Sequence, residues 1–250
     1  MKNSKATFSF ICLALCVLLL PACAKVNVAA IKDTKKIALI SVLAPERVNV
    51  AATVEKGPLG ILAAVTQDDS TKVQPSIIEM KDAILKHSKS IFKVPVVAEK
   101  TVLRSKKYKA INDKNLRGRI SPKGYKQIYP GEKEKILQAI EGLDGVGGAL
   151  IVIADVKISK VKKGIIGGKK YATLQTILTF HLYDKNGEVI LMQGSGGEAK
   201  DDVVSYAGFW RGNEMQRAIA QSVAASLENV RNMIDRKFQQ AEQKKAVASK

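Results

Sequence analysis

Residues 171–182 alternate apolar and polar side chains with a period of two, a pattern that a helix cannot place on one face. Ala172, Leu174, Thr176, Leu178, Phe180 and Leu182 fall on one side, and Tyr171, Thr173, Gln175, Thr179 and His181 make up most of the other. Such a segment is a strand with one face on a core and one in water, which assigns His181 to the wet face without a special role. Asp184-Lys185-Asn186-Gly187 is a turn signal, and residues 189–192 return as the next strand.

Two shorter runs are apolar without alternation: Ile-Ala-Leu-Ile-Ser-Val-Leu at 37–43 and residues 149–153. Both read as strands buried on both faces. Residues 94–103, with Pro95 near their start, are expected to be a further strand, and residues 48–54 a half-exposed extended segment followed by a short helix near 59–65. Ser76 and Glu79 form a capping-box pair, so a helix should begin there; Ile77, Met80, Ile84, His87 and Ile91 make its apolar stripe to about Phe92. His87 is then a packed or rim residue. Gly131, Glu132 and Glu134 open a second helix with Ile136, Ile140 and Leu143 buried. Asn213 and Gln216 cap a last one, whose stripe is Met215, Ile219, Val223, Leu227, Val230 and Ile234, with Phe209 and Trp210 pinning its entry.

The fold expected from this order is α/β (α+β) and two-layered. A mixed sheet of about five strands, ending in an antiparallel meander, carries helices on one face. Two glycine-rich stretches do not change that. Lys162 to Lys170, with Gly164, Gly167 and Gly168, lacks the spacing and the Ser or Thr of a phosphate loop and reads as a hairpin loop. Gly194 to Ala199 mimics a dinucleotide fingerprint without the strand-helix-strand unit such a site needs.

The amino terminus has a different character. Lys2 and Lys5 precede an apolar run from Phe8 to Leu20 of about thirteen residues, short of the roughly twenty needed to span a bilayer, so residues 1–22 read as an export signal. The sequence Leu20-Pro21-Ala22-Cys23 resembles a bacterial lipobox, although Pro21 stands where a small residue is commoner. That resemblance implies a lipid on Cys23, the palmitate-bearing anchor of a lipoprotein. The alternative is ordinary cleavage at Ala22-Cys23-Ala24, which releases a soluble periplasmic protein. Ala24 stands where Gram-negative lipoproteins kept in the inner membrane carry an aspartate, so the same family rule implies an outer-membrane anchor facing the periplasm. The chain is accordingly divided into the signal 1–22, the lipidated Cys23 and tether 23–34, a single α/β domain 35–236, and a mobile polar tail 237–250.

All three cysteines, Cys12, Cys16 and Cys23, lie in the leader or at its end, so no thiolate zinc site is expected in the domain. His87 and His181 are the only histidines, and no cofactor is expected. The formal charge is +18; the leader holds two of the lysines and no acid, leaving +16. In a cytoplasmic protein such a balance would suggest nucleic acid, but export makes lipid phosphates and other anionic envelope polymers the more natural partners. The most basic stretch is 100–126. Lys106, Lys107, Lys109, Lys114, Arg117 and Arg119 are its candidate anion-binding residues, interleaved with Tyr108, Tyr125 and Tyr129 in a pattern that can also be a base-stacking platform or a plain solvated loop.

The strands 37–43 and 149–153, the hairpin Leu178-Thr179-Phe180-His181-Leu182-Tyr183-Asp184-Lys185-Asn186-Gly187 and the closing helix from Asn213 together resemble a known periplasmic α/β module. It is shared by the amino-terminal domain of the Tol system β-propeller protein and by lipoproteins of the curli-secretion and exopolysaccharide-export type. The resemblance implies a protein without catalytic residues that binds envelope partners or assembles with them. A subunit of an oligomeric export pore is the alternative. A soluble hydrolase is weaker still, since there is no G-x-S-x-G and no cysteine in the folded domain.

Overall fold

The computed structural model describes residues 25–50, 69–113, 118–163, 169–206 and 209–248. The signal, Cys23, the helix expected near 59–65 and most of the extended segment 48–54 lie outside them.

The fold is a mixed sheet with helices packed against it. Strand β2 (Ile37–Pro45) runs parallel to β4 (Gly148–Lys163), from Ile37 opposite Gly148 to Leu43 opposite Ile153, with a register shift of one residue between Leu39 and Ser41. A parallel pair needs a long crossover, and among the described residues four α-helices lie between these strands in sequence. They are α2 (Ile77–Phe92), α3 (Glu99–Arg104), α4 (Lys106–Lys109) and α5 (Lys133–Ile140). From β4 the chain continues as the expected antiparallel meander through β5 (Lys169–Asp184) and β6 (Val189–Glu198). The turn between β5 and β6 forms as its residues dictate. The Asp184 carboxylate accepts from the amides of Asn186 at 2.8 Å and Glu188 at 2.9 Å, and Gly187 takes a positive φ of 74°.

The short strands complete the sheet. β1 (Lys25–Val26) pairs with β6, and β3 (Arg119–Ile120) pairs with the end of β2. β7 (Val203–Tyr206) pairs with β5 beyond the end of β6, and β8 (Phe209–Trp210) pairs with β7. The main strand order is β1-β6-β5-β4-β2-β3.

The mixed α/β class is the expected one, but the layering is richer. On one face, Leu39, Leu150, Val152, Leu178, Phe180 and Leu182 meet the stripes of α2 and of the long closing helix α6 (Gly212–Ala248). Phe92 of α2 packs edge-on against Phe180, ring centroids 5.9 Å apart. On the other face, Ala38, Ile40, Ala149, Ile151 and Tyr183 are covered by Val102 of α3, Tyr108 of α4, and Ile136, Ala139 and Ile140 of α5. Helices therefore flank both faces around the parallel pair, and only the outer part of the meander keeps the half-exposed face that its alternation implies. His181 is a consequence. It lies between Ile151 and Met192 in the neighbouring strands and is 9% exposed, so the expected wet position is closed.

Several local expectations give way to tertiary contacts. Residues 94–103 are not a strand: Val96 makes one bridge to Ile37, and the chain then turns into α3. The Ser76 capping box does not form. A 3-10 turn at Gln74–Ser76 leaves Ser76 at φ −89°, ψ −9°, its side chain makes no capping bond, and its Oγ is buried without a partner. The segment expected as a tether instead holds β1 and α1 (Val28–Asp33), with Asn27 accepting from the amide of Ala30 at 3.1 Å and Ile31 fully buried. At the other end α6 continues to Ala248. Phe238 is 5% exposed, with the Lys32 ammonium 5.6 Å from its ring centroid, so the expected mobile tail begins as packed helix.

Candidate functional site

The basic stretch folds around the open edge of β2, and the geometry there separates residues that build the fold from residues free to bind. Between Ile37 and Ala44 that edge has no continuous partner strand among the described residues, and unpaired edges invite association unless something covers them. Tyr108 and Ser41 do so with side chains. The Tyr108 hydroxyl donates to the Ile40 carbonyl at 2.7 Å and accepts from the Lys126 amide at 2.8 Å. The Ser41 hydroxyl donates to the Lys126 carbonyl at 3.0 Å and accepts from the Ile128 amide at 3.2 Å.

Tyr108 is 1% exposed and Tyr125 5%. Burial pushes both phenols well above their ordinary range, and for Tyr125 the Glu99 carboxylate pushes the same way. Two of the three tyrosines therefore point inward, and Tyr129 is half-buried. A stacking platform needs exposed rings, so that reading of the stretch is corrected.

The six candidate cations divide in the same way. Arg119 is structural: its guanidinium donates to the Ala154 carbonyl at 2.8 Å and to Asp155 at 2.7 Å. Lys107 reaches Glu141 at the end of α5, 2.8 Å away, in an exposed pair of small energetic weight. Lys106 and Lys109 are exposed on α4. Lys114 and Arg117 lie outside the described residues. What the structure assembles is thus a short exposed basic helix at the β2 edge.

A charged cluster absent from the sequence expectations lies beside it. Lys81 of α2, only 7% exposed, places its ammonium 3.0 Å from both Glu99 oxygens and 2.6 Å from Asp82. Burial pulls its pKa down, and the bonds to Asp82 and Glu99 more than offset this, so the net shift is upward. The cluster ties α2, on one face of the sheet, to α3 on the other. Asp82 adjoins Lys81 and Glu99 is 18 positions away; on a helical wheel Lys81 borders the α2 stripe, four residues after Ile77 and three before Ile84, where a lysine is expected to reach out to water.

No group of His, Cys, Asp or Glu among the described residues is arranged to hold a metal ion, and no helix among them is long and apolar enough to cross a membrane. Gly194 to Ala199, the dinucleotide mimic, belongs almost entirely to β6. The hairpin expected at 162–170 agrees with the pairing of Lys163 with Lys170, while 164–168 lie outside the described residues.

No family model matches the chain, and no curated protein does. Among solved structures, one described as a neuraminyllactose-binding hemagglutinin homolog from Helicobacter pylori is similar at a TM-score of 0.36 and 8% identity, covering 87% of this chain and 91% of its own. A hypothetical protein from Chlamydia trachomatis is similar at 0.34 and 9%, covering 82% and 95%. Likeness at this level says nothing about function.

Proposed function

We propose that this protein is a non-enzymatic outer-membrane lipoprotein, held by lipid on Cys23 and facing the periplasm, where it binds or assembles with other envelope components. The observation that carries the reading is the leader: a charged start, an apolar run too short to span a bilayer, and a cysteine directly after Ala22. A lipidated cysteine bearing several acyl chains anchors stably, where one chain would not. The partners in this reading are envelope proteins, a second copy of the chain, or anionic polymers meeting Lys106 and Lys109 on α4.

Crosslinking in intact cells, followed by identification of what is captured, tests this. Recovery of outer-membrane or periplasmic proteins supports it; recovery of cytoplasmic nucleic-acid complexes contradicts it. The export-pore alternative gains nothing from the long β4–β5 hairpin, whose inward residues Ile158, Ala172 and Leu174 are buried in the core that α6 completes.

A further inference from the structure

The fold begins almost at the proposed anchor. Lys25 is already paired with Met192 in β6, so only Ala24 stands between Cys23 and the body of the domain. The two residue steps from Cys23 to Lys25 span at most about 7 Å, less than the Debye length of roughly 10 Å at moderate salt. A domain on so short a leash cannot rotate freely above its anchor. The edge carrying β1 and α1 has to stay at the headgroups.

That edge has the charge for such a position. β1 and α1 hold exposed Lys25 and Lys32 against Asp33, and exposed Lys35 and Lys36 follow where the chain leads into β2. The end of α6 comes to the same place, since Lys32 lies 3.3 Å from Glu242 and over the ring of Phe238. It adds exposed Arg236, Lys237, Lys244 and Lys245 against Asp235 and Glu242.

Resting on the lipoprotein reading, we infer that the β1–α1 edge and the end of α6 form a membrane-apposed face that lies on anionic phospholipid headgroups. The basic helix α4 then lies toward the opposite edge of the sheet. Its Tyr108 is bonded to β2, and three strands (β6, β5 and β4) separate β1 from β2, about 19 Å at the usual strand spacing. The anchoring face and α4 are two basic surfaces with different partners, and α4 is left free to meet anions away from the anchoring bilayer.

The test uses the full processed protein, reconstituted in phosphatidylglycerol-containing vesicles, with a fluorophore on Ala29→Cys in α1 or on Ala110→Cys beside α4. Both positions are exposed, and both changes leave charge unaltered. Intact mass is measured first. Quenching by headgroup spin-labelled lipid is expected to be at least about threefold stronger at position 29, and the difference should narrow in phosphatidylcholine or at high salt. A lipidated protein quenched equally at both positions, or more strongly at 110, overturns the inference, as does a preference for 29 indifferent to lipid charge. A protein whose mass shows no lipid overturns the anchored reading itself.

Discussion

Gly197 of β6 lies directly against the backbone of Ser226 in α6: a Cβ at position 197 would overlap the Ser226 amide nitrogen and crowd the Ser222 carbonyl. The helix can approach so closely because its contact residues are small and polar. The Ser222 hydroxyl lies 2.6 Å from that of Thr176, and Ser226 donates to the Ser195 carbonyl at 2.7 Å. The glycine run at 194–197 is therefore the seat of a helix crossing a strand, with bonded hydroxyls in the seam.

Replacing Gly197 with alanine should force α6 away from the sheet and cost about 1–3 kcal/mol. Gly196→Ala is the control, because there the new methyl meets the flexible end of Gln175. Its cost should stay below about 1 kcal/mol. Urea midpoints of the two variants compare them directly, and equal losses would remove the close-approach explanation.

Tyr108→Phe deletes one hydroxyl and leaves the Ile40 carbonyl and the Lys126 amide without that partner. A loss of about 1–3 kcal/mol is expected, with faster amide exchange along 126–128. Tyr171→Phe, at a ring 36% exposed, should fall within about 0.5 kcal/mol of the parent. Aggregation of the Tyr108 variant at elevated temperature would be the natural consequence of an uncovered β2 edge.

The end of α6 distinguishes a packed helix from a free tail. Phe238→Ala should cost about 3 kcal/mol, and truncation after Arg236 should cost a similar amount by removing the same ring. A truncation without effect on the unfolding midpoint would show residues 237–248 to be dispensable.

These cases show what the amino-acid order does and does not reveal. The meander, α2, α5 and most of α6 are legible because each carries one uninterrupted period, of two or of 3.6, over many residues. The second helical layer, missing from the expected one-faced arrangement, had one signal: strands 37–43 and 149–153 are apolar on both faces and require a cover on each. What hid it was the segment 94–109, where Val94, Val96 and Val97 favour extended chain while only Val102 and Tyr108 are buried from α3 and α4. Phe238 continues the 230, 234 spacing by one more step, but the polar residues around it mask the signal. The covering role of Tyr108 and the Lys81–Glu99 contact depend on residues 68 and 18 positions apart, beyond the reach of any local pattern.

Closure over His181 has a pH signature. Burial lowers its pKa below the ordinary 6.5, so in the unfolded chain the imidazole takes up its proton first. Stability from this residue is therefore fully present above pH 6.5 and is lost as pH falls from there through the folded-state value. Unfolding free energy measured from pH 8 to 5 should drop more for the parent than for His181→Gln. Parallel curves would show the side chain to be solvated.

The proposed function turns on whether the chain is exported and where it then begins. Intact-mass spectrometry of the protein extracted from the outer-membrane fraction of growing cells tests this most directly. An amino terminus at Cys23 carrying a diacylglycerol and an amide-linked acyl chain is the result expected. A chain beginning at Lys25 without lipid, or still beginning at Met1, would contradict it.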